Sequence, residues 1–265
     1  MSFQKIGITG RKQNPLATGT AIAAIEILIA KKADFEIDSG FLNVSKAMKA
    51  QKALMGRSRL LSKFNSDIVL SFGGDGTLLE VFRELKKKIP VMGINCGSRG
   101  YLQAFRHYDA GLAVEAAFAG NFTVEKRARV LARIDGKNAG EALNEVLVVP
   151  EKAGRLLRFS LKISNSEREQ AGDGLIVATP TGSTGHALSA GGPVVKGNAS
   201  VFVVVSLNPI DWSHRPLIIN DHEKVMAFGF EKTRAEAIID GQKRIRIKSR
   251  IELEKGSEVL FAVPK

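Results

Sequence analysis

Short apolar runs alternate with longer amphipathic stretches through the first 122 residues of the chain. Apolar runs of this length predict buried strands, and the amphipathic stretches predict helices that cover them. The alternation is typical of a parallel sheet covered by helices, so an α/β domain is predicted over 1–122. The predicted strands are 5–9, 67–72 and 90–95; the predicted helices are one with Ile22, Ile25 and Ile29 on a face, then 46–64, 77–88 and 110–119.

After residue 122 the pattern changes to short strands separated by polar turns. Val130, Ala132 and Ile134 alternate with larger polar neighbours, and residues 244–248 alternate cationic with apolar side chains. This period of two predicts a mainly antiparallel β-sandwich over 123–253. The remaining predicted strands are 142–149, 157–163, 175–178, 201–206, 225–230 and 237–239.

Composition narrows the class of protein. Apolar residues make up 44% of the 265 residues and charged residues 25%, as in ordinary globular proteins. No apolar run approaches the ~20 residues of a membrane span, and the first residues lead directly into a predicted strand, so neither a membrane partner nor a signal peptide is expected. Cys96 is the single cysteine, which excludes an intramolecular disulfide and favours a cytoplasmic location.

The net charge of +12 has three interpretations: nucleic-acid binding, a solvated basic surface, or attraction of an anionic small ligand. The cations are dispersed along the chain. Two Tyr and one Trp provide few surfaces on which bases could stack. We therefore expect no nucleic-acid partner.

The residues 73–77, Gly-Gly-Asp-Gly-Thr, directly follow a predicted buried strand. Strand, glycine-rich turn and helix start form an arrangement that presents backbone N–H groups to a phosphate. Thr77 and Glu80 have the spacing of a capping box, which predicts a helix that begins at Thr77. A carboxylate such as Asp75 beside phosphates is unfavourable unless it holds a metal or accepts a proton. The alternative interpretation is a tight turn in which Asp75 only caps the helix.

Three further segments carry candidate polar groups. Asn144 and Glu145 interrupt an apolar strand, so they either meet a ligand or lie at a strand end. The stretch 172–193 combines a strand with a loop rich in Gly, Ser and Thr, in which His186 either contacts a base or ribose or is a surface histidine. In Asp240-Gly241-Gln242, the Asp-Gly pair alone indicates a hairpin turn.

Together these four segments resemble the NAD kinase family. The family's marks are GGDGT, an NE pair within an apolar strand, a D-G…TPTGSTAYSLSAGGP stretch and a late DGQ, and all four occur here in that order. GGDGT is shared with diacylglycerol and sphingosine kinases and, loosely, with phosphofructokinases. The TPTGST…SAGGP stretch is what points to NAD kinases.

The resemblance implies a fold and a reaction. The fold is an α/β domain over 1–122, rejoined by residues from about 254 to 265, and a β-sandwich dinucleotide-binding domain over 123–253. The reaction is transfer of a phosphoryl group from ATP or polyphosphate to the 2′-hydroxyl of the adenosine ribose of NAD, giving NADP. Mg²⁺ or another divalent cation is implied, as is a homodimer or homotetramer.

The resemblance also assigns roles to residues. Asp75 would accept or orient the attacking hydroxyl, and the turn around it would hold the donor phosphates. The implied phosphate-binding residues are Gly73, Gly74, Gly76 and Thr77; the implied NAD-binding residues are Asp75, Gly76, Asn144, Glu145, Arg155, Asp173, Thr184, Gly185, His186, Ala187, Leu188, Ser189, Ile210, Asp240 and Gln242.

The chain departs from the family pattern at three places. Gly185-His186-Ala187 stands where the family has Ala-Tyr-Ser, Arg99 replaces an apolar residue, and residues 208–214 lack the usual His-Ser/Thr-Leu. Two alternative functions stay open at this point. One is a lipid kinase that uses the same GGDGT turn with an apolar acceptor cleft, and the other is a non-catalytic dinucleotide sensor.

Overall fold

The structure is a computed structural model that describes residues 5–41, 54, 56–98, 100–230 and 233–265. The chain forms two compact units. The first comprises residues 1–126 and 259–265, and the second comprises 127–258. The sequence-based boundaries at 122/123 and 253/254 fall a few residues before these divisions. Among the described residues, no helix is long and apolar enough to cross a membrane.

The first unit is built on a parallel sheet with helices on its faces. Its strands are β1 (Lys5–Gly10), β2 (Asp34–Asp38), β3 (Ser58–Arg59), β4 (Ile68–Gly73), β5 (Val91–Asn95) and β6 (Phe105–Arg106). Its helices are α1 (Pro15–Ala30), α2 (Asp75–Glu84) and α3 (Ala110–Ala119), with 3₁₀ turns at Leu61–Lys63 and His107–Asp109.

The strands of this unit run in the order β3-β2-β1-β4-β5, and all these pairings are parallel. The end of the chain adds a parallel strand next to β5, through Phe261 beside Val91. One face of the sheet packs against α1 and α3, where Ile8, Ile25 and Phe72 are fully buried. Full burial of such a side chain stabilises the fold by about 1.5–3 kcal/mol. The rigid sheet fixes the positions of the loops that follow β4 and β5.

The second unit is a β-sandwich. Its strands are β7 (Phe122–Ile134), β8 (Lys137–Ala142), β9 (Glu145–Pro150), β10 (Leu157–Ile163), β11 (Ser166–Gly172), β12 (Gly174–Ala178), β13 (Val201–Leu207), β14 (Leu217–Asn220), β15 (Val225–Phe228), β16 (Ala235–Ile239), β17 (Lys243–Ile247) and β18 (Arg250–Pro264). A 3₁₀ turn (Gly182–Thr184) precedes the short helix α4 (His186–Ser189). Strand β7 begins in the first unit and continues into this one, whereas β18 begins in this unit and ends in the first.

One sheet of the sandwich has the order β14-β13-β12-β9-β16-β17, and its described pairings are antiparallel. The other contains β7, β8, β10, β11, β15 and the first part of β18. The main core lies between the sheets, where Val146, Phe159 and Val204 are buried. On the outer face of the first sheet, Ala187 of α4 packs with Ile176 and Val203, which holds the 179–192 loop against the sheet.

Most predicted elements are confirmed, but the bounds of two are wrong by three or more residues. Helix α2 begins at Asp75 and ends at Glu84, whereas the sequence predicts 77–88. The predicted strand 142–149 is a corner between two strands: β8 ends at Ala142 and β9 begins at Glu145. Both errors concern polar residues whose bonding depends on distant parts of the chain.

Residues 46–53 and 55 of the predicted helix 46–64 lie outside the described residues. Its described part is not an α-helix, because β3 and the 3₁₀ turn Leu61–Lys63 occupy it. The sequence analysis also misses β2, β11, β14 and most of β18. Strands β2, β11 and β18 carry many charged side chains, so their apolar pattern is weak. Strand β14 is apolar but only four residues long.

Candidate active site

The glycine turn, defined here as Gly73–Thr77, joins the buried strand β4 to helix α2. Gly74 is the N-cap residue, and no side chain caps the helix. The predicted capping box is therefore wrong: the Thr77 N–H donates to the Gly74 carbonyl at 2.9 Å, so Thr77 lies inside the helix. The first N–H groups of a helix have no acceptor within it, which leaves those of Asp75 and Gly76 available to an anion.

The three glycines of the turn have different physical requirements. A Cβ on Gly73 would lie 2.3 Å from the Thr77 Oγ1, so packing alone demands glycine there. A Cβ on Gly74 or Gly76 would meet nothing within 4 Å, and neither residue has a positive φ. Folding therefore does not explain glycine at these two positions. Glycine there leaves the backbone open to close approach by a ligand.

Asp75 is the first residue of α2, and its carboxylate is held by the loop after β5. The backbone N–H of Tyr101 donates to Oδ2 at 2.9 Å, and that of Leu102 donates to Oδ1 at 3.1 Å. The Gln103 side chain donates to Oδ1 at 3.3 Å. These donors stabilise an ionised carboxylate that can accept a proton or orient a hydroxyl.

In the second unit, Asp240 fixes the corner formed by Leu143, Asn144 and Glu145. Asp240-Gly241 forms the turn between β16 and β17, with φ of 49° and 67°, as a hairpin turn of this kind requires. Its carboxylate accepts the backbone N–H groups of Leu143 at 2.9 Å, Asn144 at 2.8 Å and Glu145 at 3.3 Å. The N–H groups at this corner therefore bond to Asp240.

Three buried polar atoms near this corner have no hydrogen-bond partner among the described residues: Asn144 Oδ1, Glu145 Oε2 and Thr181 Oγ1. Buried polar groups without partners are costly, so these three atoms are open to hydrogen bonds from a ligand. We call Asn144, Glu145, Thr181 and Asp240 the corner cluster.

Glu145 is 8% exposed. Burial, together with the nearby carboxylate of Asp240, raises the pKa of Glu145 to about 7. Near neutral pH the side chain therefore exchanges between a carboxylic acid that can donate a hydrogen bond and a carboxylate that can only accept them.

The loop 179–189 packs on the corner cluster through its backbone. The Thr179 Oγ1 donates to the Leu143 carbonyl at 2.5 Å and accepts the Gly182 N–H at 3.1 Å. A Cβ on Gly182 would lie 2.1 Å from the Asn144 carbonyl oxygen, and one on Gly185 would lie 3.5 Å from Glu145 Oε2. These contacts bring the start of the segment Thr184–Ser189 beside Glu145.

The predicted residues of this segment differ in exposure. Ala187 is buried against the sheet, Thr184 is half-buried, and Gly185, His186, Leu188 and Ser189 are exposed. Gln242 is exposed in the hairpin after Asp240, and its N–H donates to the Ile239 carbonyl at 3.0 Å.

Arg155, Asp173 and Ile210 lie at the opposite end of the same sheet. Ala178 pairs with Glu145, whereas Asp173 precedes the other end of β12 and Arg155 follows the far end of β9. Five strand steps along β9 correspond to about 17 Å. Asp173 is exposed and accepts a hydrogen bond from Asn208 at 2.8 Å, and Ile210 is 64% exposed. The structure does not bring these three residues to the corner cluster.

Several residues of these sites are not among the predicted site residues. Thr179 and Thr181 belong to the hydroxyl-rich loop, so the composition of that loop was a signal that could have identified them. Gln103 and the N–H groups of Tyr101 and Leu102 gave none, because only the fold brings them to Asp75. Arg99, in the same loop, lies outside the described residues.

The chain matches two family descriptions. The ATP-NAD kinase N-terminal domain matches residues 17–122, and the ATP-NAD kinase C-terminal domain matches residues 143–263. An NAD kinase from Methanopyrus kandleri is 30% identical over 261 residues, which cover 97% of this chain and 91% of that protein. An NAD kinase from Methanospirillum hungatei is 38% identical over 200 residues, 74% of each chain.

Two solved structures share the fold. Yeast NADH kinase complexed with NADH has a TM-score of 0.85 at 19% identity, covering 100% of this chain and 84% of that one. The NAD kinase from Archaeoglobus fulgidus in complex with ATP has a TM-score of 0.78 at 26% identity, covering 97% of this chain and 92% of that one. The predicted combination of a parallel α/β domain and a mainly antiparallel domain is confirmed.

The fold and the glycine turn define a kinase of the GGDGT type. The chain belongs to the NAD kinase family, as the two domain matches and the Methanopyrus relative establish. Its activity is the phosphorylation of NAD to NADP, and it is a phosphotransferase.

Proposed function

We propose that this enzyme transfers the γ-phosphoryl group of ATP to the 2′-hydroxyl of the adenosine ribose of NAD. The observation that carries this proposal is the glycine turn. The fold does not require glycine at Gly74 or Gly76, because a side chain at either position would meet no neighbour, and Asp75 lies between them. The relative from Archaeoglobus fulgidus was solved with ATP, which supports ATP over polyphosphate as donor.

Each part of the reaction has a chemical counterpart in the chain. The free N–H groups at the start of α2 bind the donor phosphates. The ribose hydroxyl oxygen forms a bond to the γ-phosphorus while the bond from that phosphorus to the β,γ-bridging oxygen breaks, and its electron pair leaves with ADP. The hydroxyl proton passes to the Asp75 carboxylate.

The described residues contain no cluster of three or more metal-ligating side chains. The part of the chain that the structure describes therefore offers no such cluster for a metal, and a divalent cation would enter bound to the triphosphate of ATP. Mg²⁺ commonly binds proteins in this way, through phosphates and water. Such an ion would neutralise phosphate charge.

The corner cluster is proposed to bind the adenosine part of NAD. Asn144 Oδ1, Glu145 Oε2 and Thr181 Oγ1 lack partners among the described residues, and the hydroxyl and amino groups of adenosine can supply them. Unpaired polar atoms suit an apolar lipid acceptor poorly. Thr184–Ser189, Asp240 and Gln242 are proposed to complete this site.

Arg155, Asp173 and Ile210 remain predicted NAD-binding residues. An adenosine bound at the corner cluster cannot also contact them, because they lie about 17 Å away along the sheet. They would have to meet a different part of a dinucleotide.

We further infer a cytoplasmic homo-oligomer, a homodimer or homotetramer. The inference is supported by the family resemblance, by the lone cysteine and by two exposed apolar side chains on one loop, Ile210 at 64% and Trp212 at 81%. Light scattering of the purified chain measures the oligomeric state directly.

The test is a coupled assay in which NAD, NADH or diacylglycerol is offered with ATP or with polyphosphate. We expect NADP formation from NAD and ATP.

The role of Asp75 is tested with Asp75→Asn. This variant should lower kcat by about 10²–10⁴, the usual size of general-base catalysis, with the melting temperature preserved. Wild-type kcat in Asp75→Asn would refute the role of Asp75, and turnover of diacylglycerol alone would favour a lipid kinase.

A further inference from the structure

The Gln103 side chain lies between Asp75 and Gly93 of strand β5. Its Nε2 donates to the Asp75 Oδ1 at 3.3 Å. Its Oε1 is buried over Gly93 of β5, where a Cβ would lie 2.3 Å from Oε1 and 3.0 Å from Cδ. Gly93 therefore creates the space that the Gln103 side chain occupies.

The hydrogen bonds to Asp75 distinguish its two oxygens. A carboxylate has about four acceptor positions, two on each oxygen. Oδ1 accepts from Leu102 N–H and Gln103 Nε2, whereas Oδ2 accepts only from Tyr101 N–H among the described residues. Oδ1 is thus filled, and Oδ2 keeps one open position.

We propose that Gln103 is a positioning residue that fixes the Asp75 carboxylate so that Oδ2 is the oxygen that accepts the proton of the ribose hydroxyl. The proposal rests on the proposed function, in which Asp75 is the proton acceptor. Without the Gln103 donor, Oδ1 also has an open position and the carboxylate rotates more freely. A smaller fraction of bound complexes then has the reactive geometry, so kcat falls more than substrate affinity.

The first experiment removes the donor while keeping the shape of the side chain. Gln103→Met has a similar length and no N–H group. Loss of one hydrogen bond to a charged group should lower kcat about tenfold to a hundredfold. The KM values for NAD and ATP should stay within about twofold, because the lost bond acts on geometry in the transition state.

A matched control comes from the neighbouring strand. Ser71 of β4 is paired with Gly93 in the sheet register, and its buried hydroxyl has no partner among the described residues. Ser71→Ala removes a polar group from the residue beside Gly93 but no hydrogen-bond donor to Asp75, so kcat should be unchanged. Gly93→Ala should reproduce the kcat loss of Gln103→Met, since the new methyl group displaces the Gln103 amide.

The decisive measurement is a double-mutant cycle with Asp75→Asn. If Gln103 acts through Asp75, adding Gln103→Met to Asp75→Asn lowers kcat no further. Equal losses in both backgrounds, or wild-type kcat in Gln103→Met, would overturn the positioning role and leave the proposed function intact. Wild-type kcat in Asp75→Asn would overturn both. If Gly93→Ala fails to fold, the cycle with Gln103→Met still decides.

Discussion

The N–H of Asp240 donates to the Glu145 carbonyl at 3.0 Å, while the Oδ1 of the same Asp240 accepts the Glu145 N–H at 3.3 Å. A second Asp-Gly turn repeats this relationship. Asp135 has φ of 50°, its N–H donates to the Arg250 carbonyl at 3.0 Å, and its carboxylate accepts the N–H groups of Lys248, Ser249 and Arg250. Only the Asp240 turn adjoins buried polar atoms that lack partners among the described residues.

The two turns give a matched pair of variants, Asp240→Asn and Asp135→Asn. Asparagine tolerates the positive φ but loses the charge and one acceptor oxygen. Asp240→Asn should lose about 1–3 kcal/mol of unfolding free energy, because part-buried backbone donors lose their acceptor. Asp135→Asn should lose less, because its donors are exposed and can bond to water instead. Only Asp240→Asn should also weaken NAD binding, as measured by calorimetry. Equal NAD affinity in the two variants would show that the corner cluster does not bind NAD.

Glu145 should make the stability of the protein depend on pH. Its pKa is raised from 4.5 to about 7, so the folded state binds more protons than the unfolded state between these values. The free energy of unfolding therefore falls as pH rises from about 4.5 to about 7, by on the order of 3 kcal/mol. Glu145→Gln should remove this contribution and melt at a higher temperature than the wild type at pH 8.

Thermal melts of wild type and Glu145→Gln at pH 5, 6, 7 and 8 measure this effect. Asp135 does not contribute to the pH dependence in this range. Although partial burial opposes it, hydrogen bonds from Ser249, Lys248 and Arg250 lower the pKa of Asp135 to about 2, so its contribution is lost only below about pH 4. Parallel melting curves for wild type and Glu145→Gln across pH 5–8 would contradict the proton uptake by Glu145.

Gly74→Ala tests whether the glycine turn exists for a ligand. A methyl group at Gly74 meets no atom within 4 Å, so the melting temperature should not fall. The methyl group should still block the close approach of phosphate to the backbone. Loss of one such contact should raise the KM for ATP at least about tenfold.

Gly19→Ala is the control, because Gly19 lies on helix α1 and a Cβ there meets nothing within 4 Å. It should raise stability by about 0.4–1 kcal/mol and leave the KM for ATP unchanged. An unchanged KM for ATP in Gly74→Ala would remove the main support for phosphate binding at this turn.

The sequence predicts the parts of this protein whose signals are local. Strand β10 and helix α3 are found with their bounds because an apolar period is enough to define them. The predictions for the start of α2 and for the corner at Asn144 are wrong because both places depend on bonds between distant residues. Asp75 accepts N–H groups from Tyr101 and Leu102, and Asp240 accepts the N–H of Asn144 across almost a hundred residues. Asp240-Gly241 illustrates the limit. The expected hairpin turn is present, but no local pattern reveals that the Asp240 carboxylate also accepts the N–H groups of residues 143–145.

Gly182→Ala should separate the contribution of the 179–189 loop from that of individual polar groups. A Cβ at Gly182 would lie 2.1 Å from the carbonyl oxygen of Asn144 and 2.4 Å from its carbonyl carbon. Both atoms belong to the backbone, so no flexible side chain can move aside, and either the loop or the corner must shift. Overpacking of this kind costs about 1–3 kcal/mol or more.

Because that shift moves Thr181 and Gly185 away from Glu145, Gly182→Ala should lower the melting temperature and weaken NAD binding together. Gly197→Ala is the control in the same unit, since its nearest neighbour is the end of the Arg127 side chain at 3.4 Å, which can yield at small cost. Calorimetry with NAD and a thermal melt on both variants provide the comparison. If Gly182→Ala melted earlier but bound NAD as tightly as Gly197→Ala, the loop would support the fold without forming part of the dinucleotide site.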